Sequence, residues 1–267
     1  MGKVDKLIRN ILILFSIAQV LFAIAFFFQL PFATNLWPYP GTTPLTFIFV
    51  SSIFAAAAAS TLWVVLSKNY GALVGISLDY IVILTPLSIF SAFVGARTSS
   101  TPLFIFSALC LIGAFFGVGM LLWSKRFPID KTLAMPRLVK WSFVIFIIAL
   151  IFVSVQLFFQ IPNVIPWKIT QELSVVIGCM FFGAVIYFLY GLFRPSWANA
   201  AGQLLAFLAY DLVLIVPFLQ RLPTVIPEHR VGQIVYIAVL IYSGLLAIFY
   251  LFIHAPTRLR TGIASGQ

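Results

Sequence analysis

The sequence predicts an all-α polytopic membrane protein, with eight transmembrane helices in two parallel four-helix repeats. Three observations lead to this prediction. Hydrophobic residues make up 63% of the 267 residues and charged residues only 8%, which excludes a water-soluble globular protein. Apolar runs of about twenty residues recur along the whole chain, each long enough to cross a bilayer. The residue pattern of the first half also returns in the second half.

Eight spans follow in order along the chain. A helix rises 1.5 Å per residue and the hydrocarbon core is about 30 Å thick, so about twenty apolar residues suffice for one crossing. The connections between the spans are too short for a folded soluble domain, so any chemistry or binding must use helix faces and short loops. We place the spans at 7–28, 46–67, 72–94, 103–124, 138–159, 173–193, 198–219 and 231–253.

The first span has the basic start of a secretory signal peptide, but the repeat argues against cleavage. The matching fifth span, 138–159, lies in the middle of the chain, where no signal peptide can stand. We therefore expect 7–28 to be a transmembrane helix.

The two repeats are predicted to cover residues 1–131 and 132–267. Each contains an even number of crossings, so both begin on the same side of the membrane and are parallel rather than inverted. In such an arrangement a site is expected between the halves, near the axis that relates them. The matched positions include Arg9 with Lys140, Gln29-Leu30-Pro31 with Gln160-Ile161-Pro162, Pro86 with Pro217 and Gly113 with Gly244.

Lysine and arginine are distributed unequally between the two sides. With a cytoplasmic amino terminus, twelve lie on the inner side and four on the outer side, the bias that the positive-inside rule describes. We therefore predict a cell-membrane protein of the bacterial inner-membrane type, with both termini cytoplasmic. The net charge of +10 then meets anionic lipid headgroups, and no nucleic-acid partner is expected. The four outer residues are Arg97, Lys168, Arg221 and Arg230.

Two aspartates lie well inside the predicted spans. Asp79 is in the third span and Asp211 in the seventh, and these spans correspond in the repeat. An aspartate at the centre of a membrane helix costs roughly 2.5–3.5 kcal/mol, so it needs a partner, a cavity or a task. A tyrosine stands beside each aspartate, Tyr80 in the third span and Tyr210 in the seventh. These four residues are the candidate ligand-binding site.

Pro86 and Pro217 follow the aspartates within the same spans. They predict a kink in each helix, because proline lacks the amide that would bond the carbonyl four residues earlier. Aligning the halves on the prolines sets Asp79 against Tyr210, so the order of acid and tyrosine is reversed in the second half. Successive side chains on a helix point about 100° apart, so the two acids are analogous rather than equivalent.

Two interpretations of the aspartates remain open. In the first, each aspartate is neutral and hydrogen-bonds a tyrosine or a backbone group within a packed bundle. In the second, the two form a protonatable or cation-contacting pair between the halves, and at least one exchanges a proton during a working cycle. Burial in hydrocarbon disfavours the charged form in either case.

The remaining intramembrane patterns predict packing. Gly113 and Gly117 in the fourth span, and the alanine run 55–59 in the second, allow helices to approach closely within this protein, with a dimer face as the alternative. Three glutamines are expected to hydrogen-bond between helices. They are Gln19, Gln156 and Gln203.

No cofactor, metal site or catalytic residue is expected. Every lysine lies at a span end or in a loop, so no retinal Schiff base can form. His229 and His254 are 25 residues apart along one predicted helix, too far to hold one haem together. Cys110 and Cys179 form no CxxC pair, and the chain contains no Walker loop and no HExxH motif.

The loop 37–46 reads Trp-Pro-Tyr-Pro-Gly-Thr-Thr-Pro-Leu-Thr. Its prolines exclude regular structure and predict a rigid cap over the outer end of the bundle that buries Trp37, with ligand contact as the alternative role. The loop resembles that of uncharacterised bacterial multi-pass membrane proteins with a Trp-Pro-Trp-x-x-Thr-Pro-Leu-Thr-like segment. The resemblance covers this loop and the first helix pair, departs at Tyr39 and by one inserted residue, and implies no function.

Three classes of function remain. The parallel repeat, the kinked third and seventh spans and the two acids indicate a small-solute or proton-coupled carrier with its site between the repeats. The lack of a dense polar site indicates a structural or accessory subunit of a larger membrane complex, and a lipid- or quinone-handling enzyme is the third class. The carrier is favoured, and a polar cavity between the halves would support it. The expected partners are bilayer lipid and either other membrane proteins or further copies of the chain.

Overall fold

The computed structural model describes residues 2–259 of the chain. These residues are 79% helical and form no strand. Eight of the helices are long and apolar enough to cross a membrane, so the predicted all-α, multi-pass membrane class is confirmed. The helices are α1 (Lys3–Phe27), α2 (Pro31–Thr34), α3 (Leu45–Ser67), α4 (Leu73–Thr98), α5 (Thr101–Ser124), α6 (Arg137–Phe158), α7 (Gln171–Phe193), α8 (Trp197–Arg221) and α9 (Pro227–Ile248).

The eight long helices match the eight predicted spans, and several extend beyond them. α1 begins at Lys3, four residues before the predicted span, and α4 continues to Thr98. Apolar content marks the boundaries of the hydrocarbon, whereas a helix continues until its backbone hydrogen bonds end at a cap. α4 and α8 also continue past Pro86 and Pro217 without a break.

α1 and α6 end in the same way, at positions that the sequence repeat matches. Gln29 and Gln160 have left-handed backbones, with φ of 52° and 55°. The amide that follows each glutamine donates to the carbonyl five residues earlier, at 2.8 and 3.0 Å. Each helix ends two residues before its left-handed glutamine, and Pro31 and Pro162, two residues after it, cannot extend the hydrogen-bond ladder.

Consecutive long helices pack as pairs, α1 with α3, α4 with α5, α6 with α7 and α8 with α9. The linker 125–136 separates a first half, α1–α5, from a second half, α6–α9. The halves meet where α3 packs on α8 and α4 packs on α7. These four helices form the centre of the bundle, in which α7 is the most buried span and α5 the least. The division into two repeats near residue 131 remains a prediction.

Serines and glycines hold α4 and α5 together. The Ser88 hydroxyl donates to the Ser107 carbonyl at 2.9 Å, and the Ser107 hydroxyl donates to the Ser88 carbonyl at 2.8 Å. A methyl group at Gly113 would lie 2.7 Å from Leu84 of α4, and one at Gly117 would lie 3.1 Å from Ile81. The two glycines therefore pack within this protein, as predicted, because their missing side chains let the helices approach.

One end of the bundle, the linker side, carries the linker 125–136. There the Trp197 amide donates to the Leu133 carbonyl at 2.8 Å and the Met135 amide to the Pro195 carbonyl at 3.2 Å. These bonds tie the linker to the start of α8. Met1 and residues 260–267 lie outside the described part of the chain. Both ends of the sequence, and Arg260, which the charge count includes, therefore lie outside it as well.

The opposite end, the loop side, is covered by the predicted cap 37–46. Trp37 is only 7% exposed, and its indole donates to the Tyr39 carbonyl at 2.7 Å. The Tyr39 and Ser91 hydroxyls are 2.8 Å apart, which joins the loop to α4. Thr42 donates to the Lys168 carbonyl at 2.7 Å. The predicted burial of Trp37 is thus confirmed, and the cap bridges both halves.

Candidate functional site at the contact between the halves

Asp79 lies where α4 of the first half contacts α7 of the second half. A methyl group at Gly183 of α7 would lie 2.5 Å from Asp79 Oδ1, so the carboxyl group occupies space that only glycine leaves free. Asp79 Oδ1 is buried and has no hydrogen-bond partner among residues 2–259. Asp79 therefore faces α7 of the second half, while its role as a ligand-binding residue stays a prediction.

The same two helices repeat this close approach one turn nearer the linker side. Gly75 of α4 faces Tyr187 and Tyr190 of α7, whose ring carbons would lie 3.0 and 2.9 Å from a methyl group at position 75. Asp79 is four residues after Gly75, and Tyr187 is four residues after Gly183. Residues four apart share a helix face, so each helix presents one glycine and one large polar side chain to the other.

Tyr187 connects this contact to the other two central helices. A methyl group at Gly202 of α8 would lie 3.2 Å from the Tyr187 hydroxyl and 3.3 Å from Cδ1 of Trp63 on α3. All four central helices therefore meet around one phenol group.

Tyr80 follows Asp79 in the chain but faces its own half. Its hydroxyl accepts a hydrogen bond of 2.7 Å from Gln19 of α1, and its Cβ lies 3.3 Å from where a methyl group at Gly117 of α5 would stand. Gln19 therefore bonds between helices, as predicted. Gln203 does so too, since its amide donates to the Tyr187 carbonyl. Gln156 differs, because its amide donates to a carbonyl of its own helix.

Asp211 lies between α8 and α9, inside the second half. It is 4% exposed, and its Oδ2 would lie 3.6 Å from a methyl group at Gly244 of α9. Neither carboxyl oxygen has a hydrogen-bond partner among the described residues. The nearby Ser243 hydroxyl donates instead to the Val239 carbonyl of its own helix at 2.7 Å.

Tyr210 faces the first half, whereas Asp211 does not. Its ring meets that of Phe49 on α3 at 6.1 Å between centroids, and its hydroxyl is bonded to the Tyr236 hydroxyl of α9. The four predicted site residues therefore do not form one cluster. Because acid and tyrosine are reversed in order, Asp79 and Tyr210 face the contact between the halves, while Tyr80 and Asp211 pack within their own halves.

An aromatic layer, formed by Phe49, Trp167 and Phe181, lies on the loop side of Asp79. The ring of Phe49 is 5.6 Å from that of Trp167 and 5.5 Å from that of Phe181, and all three side chains are buried. Phe181 stands just before Gly183 on α7, which runs from the loop side to the linker side. The layer therefore separates Asp79 from the cap.

A pocket of about 260 Å³ opens at the linker side of the same region. The Thr132 amide donates to Asp130 in its wall at 2.8 Å, and this bond lowers the pKa of Asp130 below its usual value. The pocket therefore carries a carboxylate at neutral pH. Its walls include Trp63, Asn69, Asp130, Trp197, Thr257 and Arg258.

A second cavity, of about 390 Å³, lies between α1, α3 and α8 and is almost entirely apolar. The alanine run lines it through Ala55, Ala58 and Ala59, with Val213 opposite on α8. The run thus leaves a groove as well as a close contact.

Comparisons of the chain with protein-family models, with curated proteins and with solved structures found no match. The site is therefore defined by its geometry. Sequence reasoning missed Tyr187, Gly183 and Trp63 as parts of it. One pattern could have indicated the first two, since Gly75 and Asp79 on one span, and Gly183 and Tyr187 on another, repeat the same four-residue spacing of glycine and polar residue.

Proposed function

We propose that this integral membrane protein is a proton-coupled carrier of a small solute, in which Asp79 takes up and releases the proton. The observation that carries the proposal is the position of Asp79 Oδ1, buried at the contact between the halves without a hydrogen-bond partner among residues 2–259. A carboxyl group that served only to join helices would be expected to hydrogen-bond across them. An unpaired acid at membrane depth is a functional-site hypothesis by default.

The position of Asp79 also suits the coupling of protonation to movement. Protonation removes its charge, and the neighbouring helix α7 offers no compensating charge, since its charged residue, Glu172, lies in its first turn at the loop side. A charged carboxylate at this contact favours separation of α4 from α7 and entry of water, while the neutral acid favours the close contact. Two halves related by an axis along the membrane normal, with both termini in the cytoplasm, complete the proposed arrangement.

The experiment measures the current that a solute induces across reconstituted membranes under a pH gradient. A panel of small solutes is applied to the wild type, to Asp79→Asn and to Glu228→Gln, which neutralises an exposed acid at the start of α9. We expect a pH-dependent current for the wild type and Glu228→Gln, and none for Asp79→Asn. An undiminished current in Asp79→Asn would contradict the proposal.

A role as accessory subunit is the second candidate, and α5 is the observation that favours it. α5 packs mainly on α4 and exposes the large side chains of Leu109, Ile112 and Phe115. A bilayer covers such a face, and so would a helix of another membrane protein. Native mass spectrometry of gently solubilised membranes distinguishes an α5 covered by lipid from an α5 covered by a partner protein, because a stoichiometric second protein would support the accessory role.

A further inference from the structure

We propose that, in this conformation, Asp79 exchanges its proton with the linker side only, past Tyr187 and Trp63 into the linker-side pocket. This inference rests on the proposed function, because it requires Asp79 to be the protonation site. Beyond that function, it specifies the route of the proton, the side from which the proton enters, and Trp63 as the residue that closes the route. By the positive-inside prediction, that side is the cytoplasm.

The loop side of Asp79 is closed by apolar side chains. Ile83 shares with Asp79 the space beside Gly183 and lies one turn nearer the loop side on α4. Beyond it stands the aromatic layer, where Phe49 is fully buried and the ring of Phe181 meets it edge to face. Tyr210 touches this layer, but its hydroxyl is already bonded to Tyr236. Aromatic and aliphatic side chains offer a proton no relay, so this direction is sealed.

Polar groups continue from Asp79 towards the linker side. Tyr187 follows Gly183 by one turn on α7, in the direction of the linker side, and its ring packs on Gly75, one turn before Asp79 on α4. The Tyr187 hydroxyl and the Trp63 ring lie side by side against Gly202. A hydroxyl both donates and accepts hydrogen bonds, so Tyr187 is suited to pass a proton or to hold a water molecule.

Trp63 separates Tyr187 from the pocket. Its ring lines the pocket, and its indole nitrogen is buried without a hydrogen-bond partner among the described residues. The pocket wall is polar, with Asn69, Asp130 and Arg258 among its residues, so it suits water, which needs both room and polar partners. Rotation of one indole ring would therefore connect Tyr187 with water at the linker side.

Among residues 2–259, Tyr187 is the titratable side chain that faces Asp79 from the second half. Tyr80 is adjacent on α4 but turns towards α1 and α5. α3 and α8 contribute Trp63 and Gly202 near Tyr187, and the other charged residues of α4 and α7, Arg97 and Glu172, lie at the loop-side ends of these helices. Proton exchange at this site is therefore governed by access and not by a competing charge.

The test is infrared spectroscopy of the protonated carboxyl band in vesicles of known protein orientation, with Asp79→Asn identifying the band of Asp79. The pH is changed on one side at a time with impermeant buffers. We expect the band to follow the pH of the linker side and to ignore the pH of the loop side. A band that follows the loop side, or both sides equally, would overturn this inference and leave the proposed function standing. A wild type without any titrating Asp79 band would overturn both.

Variants along the route provide the second measurement, the rate at which the band shifts on transfer to D₂O. Trp63→Ala should raise this rate at least about tenfold by removing the closing ring, and Tyr187→Phe should lower it by removing the hydroxyl. Gly202→Ala, which places a methyl group between the two, should also slow exchange. The control is Trp141→Ala, because Trp141 is an exposed tryptophan on α6. Equal rates in all four variants would contradict the route.

Discussion

Asp79 and Tyr80 are neighbours in the chain but join different parts of the protein. The Asp79 carboxyl group fills the space beside Gly183 of the second half, whereas the Tyr80 hydroxyl accepts a hydrogen bond from Gln19 of α1. A turn of about 100° per residue separates the two directions. One pair of residues therefore links the contact between the halves to the packing within the first half.

Gly183→Ala should destabilise the protein by about 1–3 kcal/mol, because the added methyl group would overlap Asp79 and Ile83. Thermal unfolding in detergent measures the effect. Gly119→Ala is the matched control, since among residues 2–259 no atom beyond its chain neighbours and the backbone of its own helix lies within 4 Å of a methyl group at position 119, and alanine in a helix is favoured over glycine by roughly 0.5–1 kcal/mol. Similar losses of stability in Gly183→Ala and Gly119→Ala would show that the α4–α7 contact is not close.

Ser107→Ala should lower the free energy of unfolding by about 0.5–1.5 kcal/mol, because it removes a hydrogen bond between α4 and α5. Ser88→Ala should have a similar effect. The two bonds share one pair of residues, so the double variant should lose less than the sum of the single losses. Unfolding of the wild type, the two single variants and the double variant in denaturing detergent measures these losses of stability. Strictly additive losses would argue against two coupled hydrogen bonds between Ser88 and Ser107.

Asp211→Leu should leave stability unchanged within about 1 kcal/mol or increase it. Both carboxyl oxygens of Asp211 are buried without partners among residues 2–259, and replacing an unpaired polar group by an apolar one of similar shape removes a desolvation cost. Gln233→Leu is the contrasting variant, because Gln233 donates to the Phe218 carbonyl at 2.8 Å and should lose about 1 kcal/mol. A large loss of stability in Asp211→Leu would reveal a partner of Asp211.

The cap should become less stable at alkaline pH. Burial raises the pKa of Tyr39 above its usual value, so above about pH 10 the unfolded chain releases this proton more readily than the folded protein. The stabilisation is complete below that pH and is lost as the pH rises further. Unfolding temperatures between about pH 8 and 11 should fall less steeply for Tyr39→Phe than for the wild type. Parallel curves would contradict this.

Single cysteines should react from opposite sides of the membrane. Asn35 and Lys131 are exposed positions at the loop side and the linker side, and the native Cys110 and Cys179 are buried. Asn35 is preferable to Gly41, since Thr46 fills the space that a side chain at 41 would need. We expect Asn35→Cys to react with an impermeant thiol reagent in intact cells and Lys131→Cys only after permeabilisation. The opposite pattern would invert the predicted orientation.

The sequence by itself determined that the chain belongs in a lipid bilayer, how many helices can cross it and approximately where those helices end. These properties depend on local terms, namely the transfer free energy of each residue and the need of the backbone to hydrogen-bond within its own segment. The reversed order of acid and tyrosine in the two halves also indicated that Asp79 and Asp211 point in different directions, whereas the expectation that both face the contact between the halves is wrong for Asp211. The proline-rich loop likewise indicated the burial of Trp37.

Only the tertiary structure decided which helix each polar side chain faces. Helices in lipid gain little from the hydrophobic effect when they associate, so their neighbours are chosen by shape, through the spaces that small residues leave. Gly183 and Gly202 leave such spaces, and neither differs in hydropathy from an exposed glycine such as Gly119. The meeting of Asp79, Tyr187 and Trp63 arises from residues distant in the chain, and it depends on packing that no single span encodes.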